Sequence, residues 1–139
     1  MARTLTVYLK RDGVPARAAL QQAITALGFK LTVESDYVPF KNLSYLPFTL
    51  DGEDAGFTIR FDEVSNAPAL PPNLNSQLGE RDLAINLRWG GDARERASAL
   101  IVASVLASSF AAVVHAADED AVYPTAELIH MVRGTLETL

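Results

Sequence analysis

The sequence predicts an α+β fold, with helices packed on a single antiparallel or mixed sheet, and three observations carry the prediction. Apolar and polar side chains alternate with a period of two at 5–9, 57–61 and 83–89, the pattern of half-buried strands. Apolar residues recur at helical spacing before Gly28, from 93 to about 110, and near the end of the chain. The 139 residues are 49% hydrophobic and 21% charged, the balance of one globular domain, 1–139, long enough to bury a core.

In chain order, Leu5, Val7 and Leu9 point one way and Thr4, Thr6 and Tyr8 the other, a first strand turned by Asp12-Gly13. Pro15 suits a first helical position, Leu20, Ala23, Ile24 and Leu27 share one helix face, and Gly28 closes it. Phe29, Leu31 and Val33 alternate in a second strand. Residues 37–45 hold Pro39, Asn42 and Ser44 and read as a connection. Strands at 46–50 and 56–64 flank Asp51-Gly52-Glu53-Asp54-Ala55, read as a hairpin loop. The proline- and asparagine-rich stretch 65–80 reads as a long surface loop. Leu83, Ile85, Leu87 and Trp89 form a strand ending at Gly90-Gly91.

Asp92 with Glu95 three residues on marks a helix start by a capping box. On that helix Ile101, Val102, Val105, Leu106 and Phe110 gather on one half, and small residues, with Leu100, on the other. Residues 97–117 hold no formal charge and are long enough to cross a bilayer, yet this asymmetry is that of a helix lying on a sheet. Residues 112–117 read as a buried strand, Asp118-Glu119-Asp120 as a charged turn, and Val122-Tyr123 as a return. Thr125 is placed to cap a last helix with the stripe Leu128, Ile129, Val132 and Leu136.

The 17 acidic and 12 basic side chains give a net charge of −5, the wrong sign for non-specific attraction to nucleic acid and the right one for a basic protein partner. There is no cysteine, so no disulfide, thiol nucleophile or cysteine-based zinc site is available. The first residues lack the apolar run of a secretory signal, and a cytoplasmic location with no membrane association is expected.

No spacing of catalytic residues stands out, and neither an enzymatic activity, a cofactor nor a metal is expected. The window 51–62 begins like a calcium loop, but Ala55 and Ile59 offer no side-chain oxygen. His115 and His130 have no metal-ligand spacing, and a buried, hydrogen-bonded His115 is the expectation. The acidic residues are the candidate partner-binding set: Asp51, Glu53, Asp54, Asp62, Glu63, Asp118, Glu119 and Asp120. A second candidate is a pocket beside Gly90-Gly91, where Arg88 or Arg94 would hold an anionic ligand at a helix start. An assembly of identical copies is left open.

The element order is compatible with a ferredoxin-like sheet carrying an inserted hairpin and an extra C-terminal helix. Leu87-Arg88-Trp89-Gly90-Gly91-Asp92, the Ala-rich helix, Ala112-Val113-Val114 and the acidic turn before Tyr123 resemble the C-terminal half of small uncharacterised bacterial proteins of the toxin-immunity type. The resemblance implies a protein that binds and neutralises a cognate toxin or effector, and it transfers no functional residue.

Overall fold

The structure is a computed structural model describing residues 4–66 and 70–139. Met1, Ala2 and Arg3, read above for a signal segment, and Pro68 of the expected loop lie outside the described residues. The architecture is α+β, with four helices and nine strands in antiparallel sheets among the described residues.

The strands β1 (Thr4–Leu9), β3 (Leu43–Leu46), β6 (Phe57–Glu63), β7 (Leu83–Arg88), β8 (Val113–Ala116) and β9 (Ala121–Tyr123) form a six-stranded sheet in the order β3-β6-β7-β1-β8-β9. The remaining strands, β2 (Leu31–Val33), β4 (Phe48–Leu50) and β5 (Glu53–Asp54), form a second sheet in the order β2-β4-β5. Two sheets therefore replace the single one expected. The strand after the first helix leaves the sheet of β1 altogether, so the ferredoxin-like order does not describe these pairings. Pro47 separates β3 from β4 and divides the run 46–50 between the sheets. Stacking of Phe48 on Phe57, with centroids 4.8 Å apart, joins them again in the core.

The expected five-residue hairpin loop is shorter. Asp51 and Gly52, both at positive φ, link β4 directly to β5, as the Asp-Gly pair favours in a two-residue turn. The outer edge of β2 is closed by a side chain: the Gln21 amide donates to the Leu31 carbonyl at 2.9 Å and accepts from the Val33 N–H at 2.7 Å. Gln21 sits on α1 (Arg17–Ala26), where Leu20 and Ile24 are buried. The helix ends as Gly28 predicts: at φ 86° its N–H reaches the Thr25 carbonyl and the Phe29 N–H the Ile24 carbonyl, a Schellman closure.

One face of the large sheet presents Leu5, Val7, Leu9, Ile59, Ile85, Leu87 and Val114 to α3 (Ala93–Ser109). Every residue of α3 from Ala97 to Leu106 is buried, because α4 (Thr125–Leu136) packs along it and α1 touches it too. The small-residue half of α3 is thus helix-packing surface, and among the described residues the buried Ser98 hydroxyl has no hydrogen-bond partner. No described helix is long and apolar enough to cross a membrane. Thr125 is the first residue of α4 rather than its cap. Pro124 occupies the cap position without a side-chain bond.

Three segments read wholly or mainly as irregular are ordered. Residues 43–46 are β3, and Val64–Asn66 forms a 3-10 turn. Residues Pro72–Leu78 form α2, a helix begun by Pro72 at its first position, where a missing N–H costs nothing. Leu74 and Leu78, one turn apart, seat α2 on Tyr8 and Ala84, on the face of the large sheet opposite α3.

Candidate binding surface

Because strand side chains alternate, the residues that do not face α3 form a second layer, and α2 covers only part of it. The antiparallel registers set out the rest in rows: Thr58, Arg88 and Thr4 in one, and Arg60, Asn86, Thr6 and His115 in the next. Polar groups link across the strands. The Thr6 hydroxyl donates to Asn86 Oδ1 at 2.9 Å, Asn86 Nδ2 donates to Asp62 Oδ2 at 3.0 Å, and Arg60 stands 3.6 Å from Asp62. His115, buried as expected, shares a 3.0 Å hydrogen bond between Nε2 and Asp120 Oδ1. Burial under α2 raises the pKa of Tyr8.

Two cavities indent this layer. One, about 400 Å³, lies between α2 and the strands and is lined by Thr6, Tyr8, Asp62, Leu74, Asn86 and His115 among others. The other, a groove of about 630 Å³, lies at the Gly90 end, where Tyr45, Gly56, Thr58, Arg88 and Asp118 meet. Tyr45 is held in place there: its hydroxyl accepts the Gly56 N–H at 3.1 Å, and its ring lies so close over Gly56 that a β-carbon would overlap it. Tyr45 as a whole remains 49% exposed.

The start of α3 beside this groove is closed by the chain's own carboxylates. Asp92 Oδ1 accepts the Arg94 N–H at 2.7 Å, as expected of a cap, while Glu95 Oε1 accepts the Gly90 N–H at 3.0 Å instead of bonding back to Asp92. Two of the backbone donors that would cradle an anion, those of Gly90 and Arg94, are therefore taken. The two arginines are also divided: Arg88 lines the groove, whereas Arg94 lines a cavity with Asp51 and Glu53.

The acidic residues occupy separate places. Asp51, Glu53 and Asp54 are exposed on the β4–β5 hairpin. Asp62 and Glu63 end β6, at the opposite end from Thr58, and Glu63 is paired with Arg11 at 2.6 Å. Asp118 lines the groove, Asp120 holds His115, and Glu119 accepts a 2.5 Å bond from the Tyr123 hydroxyl. Burial, then the bond and charge of Glu119, push the Tyr123 pKa up to about 12. The uncovered layer collects Asp62, Asp118 and Asp120, and the hairpin carboxylates stand apart from it. Tyr45, Thr6 and Asn86 were not singled out in sequence, since nothing but their tertiary setting distinguishes them. No protein-family model, curated protein or solved structure matches the chain.

Proposed function

We propose that the protein is a non-enzymatic protein-binding module of the immunity type, which neutralises a basic toxin or effector through the uncovered layer of its large sheet. The observation that carries this reading is an exposed aromatic side chain fixed beside a bonded polar surface. Tyr45, 49% exposed and bonded to the Gly56 N–H, lines the groove with Thr58, Arg88 and Asp118, whereas the exposed Phe40 packs on Phe61 of the closed layer. An aromatic anchor beside a hydrogen-bonding surface is how protein interfaces combine anchoring with specificity. Asp62, Asp118 and Asp120 outnumber Arg60 and Arg88 on that surface and favour a basic partner.

The contact is made by side chains rather than by strand addition. Every sheet edge is blunted: β3 by a register irregularity, β9 by its length and Pro124, β5 by Glu53 and Asp54, and β2 by Gln21. The bacterial, immunity-type assignment is supported by the sequence resemblance, and a cytoplasmic location fits a cysteine-free chain. An anionic ligand beside Gly90-Gly91 is the second reading, placed lower because Glu95 and Asp92 already occupy the Gly90 and Arg94 N–H groups.

The test is calorimetric titration of the full chain with the product of the neighbouring gene, together with growth of cells producing it. The wild type is expected to bind and protect. Tyr45→Ala and Asp118→Lys are expected to weaken binding at least about tenfold, and Glu53→Lys on the hairpin to leave it unchanged. Absence of both binding and protection would overturn the proposal.

A further inference from the structure

We infer that the cavity bounded by α3, α4, the α1–β2 turn and the β4–β5 hairpin binds a small zwitterion with an apolar body, in chemical class a free α-amino acid with an aliphatic or aromatic side chain. This site shares no residue with the uncovered sheet layer and stands independently of the proposed function.

The cavity has a volume of about 540 Å³, within the range of small-molecule sites. Its floor is apolar, with Leu50 and Ile101 buried in the core and Phe29 and Leu136 half-buried against it. Its rim carries two cations, Lys30 and Arg94, and two carboxylates, Asp51 and Glu53. Among the described residues none of the four joins an ion pair, whereas Lys10, Arg11 and Arg60 each do.

Backbone distance does not keep these charges apart, since the Asp51 N–H donates to the Lys30 carbonyl at 2.9 Å. The rim is fixed by two turns with little freedom, the Schellman closure at Gly28 and the Asp51-Gly52 turn, and the Arg94 backbone is tied by Asp92. The backbone of the rim is thus set before a ligand arrives, which removes the backbone part of the ordering cost of binding. Cations and carboxylates around one apolar floor offer partners to a carboxylate and an ammonium together, with the attached side chain resting on the floor. A ligand of single charge engages half of the rim and gains nothing from the other half.

The test is calorimetry on the full chain with L-leucine, L-phenylalanine, N-acetyl-leucine, leucine methyl ester and isocaproate. The two free amino acids are expected to bind, and blocking or deleting either charge to weaken binding at least about tenfold. Arg94→Gln is expected to abolish the discrimination between leucine and its methyl ester. Glu53→Gln is expected to abolish that between leucine and N-acetyl-leucine, and melting curves confirm that both variants fold. Isocaproate binding as tightly as leucine, equal binding of all five compounds, or no binding at millimolar concentration would each overturn the inference.

Discussion

Leu87 and Arg88 are neighbours on β7, yet one is sealed beneath α3 and the other stands exposed in a groove. The same division runs through β1, β6 and β8, whose alternate residues build two unlike layers from one set of strands. The layer under α3 is apolar and closed, and its composition follows from the need to bury it. The opposite layer is half covered by α2 and otherwise carries threonines, Asn86, arginines and carboxylates in bonded rows. A sheet needs only one buried face to hold its place, which leaves the second free to meet a partner.

Removing core volume tests that difference most severely. Leu87→Ala is expected to lower unfolding free energy by about 2–5 kcal/mol in chemical denaturation, since the site is fully enclosed by packed neighbours. Gly56→Ala bridges the layers: its β-carbon would lie 2.5 Å from the Leu46 carbonyl oxygen and overlap the Tyr45 ring. It is expected to cost about 1–3 kcal/mol and to weaken partner binding as the ring shifts. Ser98→Ala runs the other way, with a gain of roughly 1 kcal/mol expected from removing a buried hydroxyl without a partner.

At the turn beyond the uncovered layer, the raised pKa of Tyr123 gives a pH dependence of definite sign. The folded state holds the phenolic proton more tightly than the unfolded state, so this contribution is complete below the ordinary value of 10.0 and falls away as pH rises towards about 12. Glu119→Gln is expected to move the ionisation downward in an ultraviolet titration. The smallest effect is expected of Arg60→Ala, within about 0.5 kcal/mol, because its side chain lies on the exposed layer.

The sequence made the closed layer readable and the open one much less so. Leu5, Val7 and Leu9, or Phe57, Ile59 and Phe61, announce a buried face by their spacing, and α3 announces its start through Asp92. Periodicity states which side of a strand is buried but not which strand lies beside it, so the departure of β2 into a second sheet was invisible. The prolines at 71 and 72 read as breakers although Pro72 opens α2. The one-turn spacing of Leu74 and Leu78 was the signal that could have revealed it. Among the candidate site residues, charge marked Asp62, Asp118 and Asp120 in sequence. Tyr45 was hidden, because its role depends on Gly56 arriving beneath its ring from the link between β5 and β6.

The most direct test of the central claim is an amide-resolved NMR footprint of the full chain bound to the neighbouring gene product. Perturbations concentrated at Tyr45, Thr58, Arg88 and Asp118, with the β4–β5 hairpin silent, are the expected result. A footprint centred on Asp51, Glu53 and Asp54, or none at all, would contradict the assignment of the uncovered layer as the partner surface.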